Sequence, residues 1–153
     1  MKRIILFIFA LLIFLSTVSC AVQNRQDKVL ASVGKHESKQ FWTHGAFQDY
    51  TDFGVYAFSA ANLKDNAYFS VVAEDDIQTI GTFVDDFEKW IEAFKDNDPD
   101  DALVSNYSFD RSVIDTGDYF YIYQGDNDSE YACYDLWIFD TQTNTLYYFH
   151  NNI

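Results

Sequence analysis

Residues 75–95 read DDIQTIGTFVDDFEKWIEAFK, and this stretch decides the fold. Its apolar residues recur at intervals of three and four, which is the repeat of one face of an α-helix. They are Ile77, Ile80, Val84, Phe87, Ile91 and Phe94, with Phe83 and Trp90 beside them. The opposite face carries Asp85, Glu88, Lys89 and Glu92. The segment therefore predicts a long amphipathic helix whose wide apolar face must pack against a sheet.

Polar residues mark both ends of this predicted helix. Asp75 and Asp76 suit the positive end of the helix dipole, and Asp75 with Gln78 has the spacing of a capping box. At the other end, the run at residues 96–99 closes with a proline, which cannot continue a helix.

Most other segments after residue 40 alternate aromatic or β-branched residues with polar ones, which is typical of strands. The predicted strands are 40–44, 53–59, 67–72, 104–109, 119–124, 131–140 and 145–150. Short polar links join the last three, which favours antiparallel pairing. We expect an α+β fold: a curved antiparallel sheet of about six strands with the long helix on one face.

The last strands divide into two sets of side chains that point to opposite faces. Phe120, Ile122, Leu136 and Ile138 form the apolar set, which we expect beneath the helix. The candidate binding face is the aromatic set: Tyr119, Tyr121, Tyr123, Tyr131, Trp137, Phe139 and Tyr147. Such rings are common in binding surfaces, but cross-strand aromatic pairs also stabilise sheets without any partner. The pattern leaves both interpretations open.

The N-terminus has the three parts of a secretory signal. Lys2 and Arg3 precede twelve apolar residues, 4–15, a run too short to span a bilayer, and small residues follow. Residues 17–20, TVSC, resemble the lipobox of bacterial lipoproteins, although Thr17 stands where that motif prefers leucine. The resemblance implies cleavage before Cys20 and lipidation of its thiol.

Two other interpretations of the cysteines remain open. Cleavage after Ala21 gives a secreted protein in which Cys133 is the single cysteine, and a Cys20–Cys133 disulfide requires cleavage at or before Ser19 without lipidation. The expected organisation is a signal peptide at 1–19, a lipidated cysteine with a flexible tether at 20–39, and one domain at 40–153. Within the tether, Val29, Leu30 and Val33 have the spacing of a helical turn before Gly34.

The chain is strongly acidic, with a net charge of −14. Removal of residues 1–19 takes away two of the ten basic residues and no acidic one, which leaves −16. This charge argues against nucleic acid, because phosphate contacts need a basic surface. It is consistent with simple solubility or with a basic partner.

Signals for an enzyme are few. The G-x-S-x-G, H-E-x-x-H, C-x-x-C and phosphate-loop motifs are absent, and the three histidines are scattered. We expect Cys133 to be a buried hydrophobic residue and expect no cofactor. Two acidic runs, Asp96–Asp98–Asp100 and Asp126–Asp128–Glu130, have EF-hand spacing, but each lacks the required glycine and the terminal glutamate. Solvated loops are the favoured interpretation of both.

These patterns favour a non-catalytic extracytoplasmic binding domain, held by its lipid to a bacterial membrane. The favoured partner is a protein, for example a basic one that this chain inhibits or guards against. The alternatives are a glycan or small ligand on the aromatic face, and a small hydrolase without a recognisable motif. The partner's identity and the oligomeric state are not encoded in any pattern found.

Overall fold

The computed structural model describes residues 25–46, 49–125 and 133–152. Its six strands are β1 (Ser38–Ala46), β2 (Asp49–Ala57), β3 (Ser70–Val71), β4 (Tyr119–Gln124), β5 (Cys133–Asp140) and β6 (Thr145–Asn152). Its described helices are α1 (25–33), α2 (Glu74–Asn97) and α3 (Ala102–Asn106), with a 3₁₀ turn at Arg111–Val113. All strand pairs are antiparallel, in the order β1-β2-β6-β5-β4-β3. The predicted α+β fold is confirmed.

The helix predicted over 75–95 is α2, which extends slightly further at each end. Its buried residues are Ile80, Phe83, Val84, Phe87 and Ile91, all from the predicted stripe. The predicted Asp75–Gln78 capping box is wrong. The N-cap is Ala73, whose backbone N–H donates to the Asp76 carboxylate at 2.9 Å.

One predicted strand is wrong. Residues 104–109 belong to no strand, because Asp101 starts the short helix α3 just before them. The Asp101 carboxylate accepts hydrogen bonds from the backbone N–H groups of Leu103 at 2.8 Å and Val104 at 3.3 Å. An aspartate at an N-cap outweighs a weak strand pattern, since it satisfies backbone donors locally. Leu103 is then buried in the core.

The first face of the sheet, here the α2 face, is covered by the long helix. Its buried core combines the α2 stripe with Phe53, Tyr134, Leu136, Ile138 and Phe149. Leu136 and Ile138 therefore lie where the alternation placed them. The partly buried Phe120 and Ile122 pack against the same cluster.

The second face, here the α1 face, carries its own buried core. Val29 and Val33 of α1 are buried with Tyr56, Phe58, Leu63, Phe69, Trp137, Phe139, Leu146 and Tyr148. The expected helical turn is present as part of α1, which ends at Gly34. The backbone there adopts φ +126°, which glycine tolerates, and the Gly34 N–H donates to the Leu30 carbonyl at 3.3 Å.

Burial of α1 corrects the expected domain boundary. The segment predicted as a flexible tether folds onto the sheet from residue 25, so the domain begins before residue 40. Two valines one turn apart are a weak signal in the sequence, yet they suffice once an aromatic sheet face lies beside them. Cys20 and the signal segment lie outside the described residues. Along the described ranges, no helix combines the length and hydropathy that a membrane crossing requires.

Candidate functional site

The aromatic set predicted as a binding face does not form an open surface. Trp137 and Phe139 are buried in the α1-face core. Tyr119 and Tyr121 are partly buried against the same core. The alternation assigned these side chains to one face correctly, but α1 and the chain before β3 cover that face.

Three members of the set have other outcomes. Tyr147 belongs to the opposite face, because its register partners are Val55 and Ile138 and it packs against the α2-face core. Tyr131 lies outside the described residues. Tyr123 is partly exposed and contacts an arginine, described below.

Three polar residues form a row across the middle of the α1 face. Asp52 of β2 pairs in register with His150 of β6, and His150 pairs with Asp135 of β5. Their exposed fractions are 6%, 2% and 2%. Buried ionisable groups are costly unless they are paired, so this row must be held by specific contacts.

The Asp135 carboxylate lies at the centre of those contacts. Its Oδ1 lies 2.7 Å from His150 Nδ1 and accepts a hydrogen bond from the Tyr148 hydroxyl at 2.9 Å. Its Oδ2 accepts a hydrogen bond from the Arg25 guanidinium at 3.0 Å. Burial raises the pKa of Tyr148 far above its usual value, so this hydroxyl stays a donor. The carboxylate is therefore satisfied by three side chains from two elements, β6 and α1.

Arg25, the first described residue of α1, reaches this row. Its guanidinium carbon lies 3.3 Å from the centroid of the Tyr123 ring, which is a cation–π contact. Its side chain is 25% exposed, whereas that of Asp135 is 3% exposed. Tyr123 therefore contacts one face of the guanidinium while Asp135 accepts from its edge.

Beside these satisfied groups are buried polar atoms without a hydrogen-bond partner among the described residues. They are His150 Nε2, Asp52 Oδ1 and Trp137 Nε1, all on the α1 face. Burial raises the pKa of Asp52, and the hydrogen bond from Thr43 and the nearby His150 oppose that shift without reversing it. The row thus retains hydrogen-bonding capacity that the fold does not use.

The Asp135–His150 pair has the arrangement of the orienting half of a catalytic triad. Cys133 lies on the same face of β5, two residues from Asp135. Burial raises the pKa of the Cys133 thiol, the Asp135 carboxylate raises it further, and Arg25 opposes both. A nucleophilic thiol needs the reverse shift, so the arrangement does not favour thiolate chemistry.

The acidic runs do not assemble a metal site in the part of the chain that the structure describes. No three His, Cys, Asp or Glu residues there are placed to hold a metal ion. Asp96, Asp98 and Asp100 are exposed near the end of α2. The second run, Asp126–Asp128–Glu130, lies outside the described residues.

The solvent side of α2 carries an open groove of about 500 Å³. It is lined by Asp85, Glu88, Lys89, Glu92 and Arg111. Arg111 bonds to Asp85 at 2.5 Å and also to Glu88, which in turn accepts from the Tyr107 hydroxyl at 3.1 Å. Hydrogen bonds to Glu88 and Asp85 raise the pKa of Arg111 further, so this residue stays charged.

Sequence reasoning missed the polar row and the Arg25 contact. A usable signal was present, because Asp135 and His150 fall at core-facing positions of otherwise aromatic strands. The pairing itself had no local signal, since Arg25 and Asp135 lie 110 positions apart. Comparisons with protein-family models, with curated proteins and with solved structures found no match to this chain.

Proposed function

We propose that this protein is an extracytoplasmic lipoprotein that binds a basic protein and catalyses no reaction. The observation that carries the proposal is the acidic groove on the solvent side of α2. Three carboxylates and two cations line it. A surface of this kind attracts a basic partner by charge and offers a concave seat for its side chains.

The carboxylates of the groove differ in how free they are. Asp85 and Glu88 are engaged by Arg111, which holds them in place. The Glu92 side chain is 71% exposed and has one long ion pair, 3.6 Å, with Lys95. Exposed pairs of this kind contribute little stability, so a partner's cation displaces Lys95 at small cost. Glu92 is therefore the residue most available for recognition.

The fold also separates this groove from the proposed lipid. Helices α1 and α2 pack on opposite faces of the sheet. Cys20 precedes Arg25, the first described residue of α1, by five positions, and five residues of chain span at most about 18 Å. A lipid on Cys20 thus holds the α1 side near the membrane and leaves the groove on the far side.

Anchoring and binding are tested separately. Cys20→Ser should release the protein from membranes, because lipidation supplies the anchor. A wild-type protein that is soluble after export, or a variant that remains on the membrane, contradicts the lipoprotein assignment.

Binding is tested by photo-crosslinking in intact cells. A photoreactive residue at position 92 should give a discrete adduct with a basic protein, identified by mass spectrometry. The matched position is Glu37, an exposed carboxylate outside the groove, which should give none. Asp85→Lys should abolish the adduct at position 92. An adduct with an acidic protein, or one that persists in Asp85→Lys, contradicts the proposed surface.

A further inference from the structure

Arg25 contacts Asp135 and Tyr123 in the way that a bound ligand contacts its binding site. A buried carboxylate accepts from the guanidinium at 3.0 Å, and an aromatic ring lies 3.3 Å from the guanidinium carbon. Carboxylate and ring together suit a planar cation, since the first bonds its edge and the second its face. The fold has built this pocket from β4 and β5, while the cation comes from the separate element α1.

Removal of Arg25 takes from the pocket the permanent cation that contacts Asp135. Without Arg25, Asp135 and Asp52 remain in one buried row, with His150 between them. The other titratable groups that face the pocket are Tyr50, Tyr121, Tyr148 and Cys133. Burial raises the pKa of each of them, to about 12 for Tyr50, so all four stay protonated and neutral at pH 7, and neither a phenol nor a thiol can carry a positive charge.

Two buried side chains, Val29 and Val33, hold the described part of α1 over the pocket. A helix in a protein is stabilised mainly by such tertiary contacts. Nearby, His150 Nε2 and Asp52 Oδ1 are buried without a hydrogen-bond partner among the described residues. These atoms offer an incoming group hydrogen bonds that Arg25 does not use.

We propose that Asp135 and Tyr123 form a guanidinium-binding site, which the chain closes with its own Arg25 and which accepts an arginine side chain of a partner polypeptide when α1 is displaced. The site lies on the opposite face of the sheet from the acidic groove. A negative result for this site would therefore not affect the function proposed for that groove, and the reverse also holds.

The first test is chemical rescue. Arg25→Ala in the full-length, detergent-solubilised protein should lower the melting temperature. N-acetyl-arginine methylamide should then bind saturably by calorimetry and recover more than half of the lost temperature. The citrulline analogue has nearly the same shape without the charge and should do neither. Asp135→Asn in the Arg25→Ala background should abolish the rescue.

Three outcomes overturn the site. The first is a folded Arg25→Ala protein that does not respond to the arginine amide. The second is an equal response of that variant to the citrulline analogue, and the third is an equal response of the wild type to the arginine amide. If Arg25→Ala does not fold, Arg25→Lys is used, because it keeps the charge but lacks the planar fork. The site is also overturned if the arginine amide raises the melting temperature of Arg25→Lys no more than the citrulline analogue does.

The second test addresses displacement of α1 in the wild type. Lys28 is exposed in α1, and Lys64 is exposed in a loop outside it. A tri-arginine amide should speed cleavage after Lys28 by a lysine-specific protease and leave cleavage after Lys64 unchanged. A tri-citrulline amide should alter neither rate. An unchanged rate at Lys28 shows that a partner's arginine does not compete with Arg25.

Discussion

The two faces of the sheet differ in what packs against them. On the α2 face, a helix of 24 residues buries five apolar side chains against the sheet. On the α1 face, the described helix is residues 25–33, with two buried valines, and beneath it lie Asp52, Asp135 and His150. The α2 face is stabilised mainly by burial of apolar side chains. The α1 face is stabilised by aromatic packing together with a few specific polar contacts.

Because of this difference, the two faces should respond differently to substitutions. Apolar burial is non-directional, so the α2 face should lose stability in proportion to the volume removed. An ion pair with a buried carboxylate depends on both partners, so the α1 face should respond sharply to the loss of one charge. The predictions below test that contrast, from the largest expected effect to the smallest.

The largest effect is expected on the α2 face. Phe87 is fully buried among Phe53, Tyr107 and Phe149, so Phe87→Ala should reduce the free energy of unfolding by about 3–5 kcal/mol. Urea denaturation measures it. Glu92→Ala on the solvent side is the matched control and should cost less than about 0.5 kcal/mol. Equal effects of the two substitutions would mean that the face of α2 assigned to the core is the wrong one.

Glu88 is less suitable as that control, although it lies opposite the apolar stripe in the sequence. Its carboxylate accepts from the Tyr107 hydroxyl and pairs with Arg111. Loss of those contacts would mix the effect of helix exposure with that of a small polar network.

The next effect belongs to the α1 face. Asp135→Ala removes the acceptor shared by Arg25, Tyr148 and His150, and should cost about 2–4 kcal/mol. This loss of stability is smaller than that expected for a fully buried ion pair, because the partly exposed Arg25 side chain can be hydrated when Asp135 is removed. The same urea assay measures it. A cost below that of Glu92→Ala would mean that aromatic packing alone holds α1.

Tyr121→Ala and Ile122→Ala compare the two faces at neighbouring positions of β4. Tyr121 packs against Tyr68 and Phe69 on the α1 face, and Ile122 packs on the α2 face. Since both sides are covered, we expect each variant to lose about 1–3 kcal/mol, read as similar thermal shifts. A Tyr121→Ala protein that melts like the wild type would show that this part of the α1 face is open and restore it as a binding surface.

The smallest effect is a change in pH dependence. Burial raises the pKa of Asp52 above its value in the unfolded chain. The unfolded state therefore loses its proton first, and stability falls as pH rises through the window between the two pKa values. Asp52→Asn should melt higher than the wild type at neutral pH, and its advantage should fade as pH falls below the usual aspartate pKa. Melting curves across pH measure this.

The exposed Asp96→Asn provides the comparison for Asp52→Asn. Its melting temperature should follow that of the wild type at every pH. An Asp52→Asn protein that is less stable than the wild type at neutral pH would mean that Thr43 and His150 stabilise the charged carboxylate more than burial destabilises it.

Part of the candidate site was predictable and part was not. Alternation along β5 placed Trp137, Phe139 and Asp135 on one face, because side chains of a strand alternate by geometry. The acidic side of α2 followed from helical spacing in the same way. The prediction that the aromatic set forms an open surface was wrong for Trp137 and Phe139, because alternation gives the direction of a side chain and says nothing about what covers it.

By itself the sequence determined the long helix, its buried face and the antiparallel α+β class, because these depend on periodicities within a few turns or one strand. Tertiary structure alone decided that residues 25–33 close the second face and that Arg25 meets an aspartate 110 positions away. It also decided that Asp52, His150 and Asp135 share one row, since register between strands distant in the chain is set by packing of the whole sheet. Local patterns report which residues are apolar or charged; the contacts that make a buried charge tolerable are non-local, and only the folded chain supplies them.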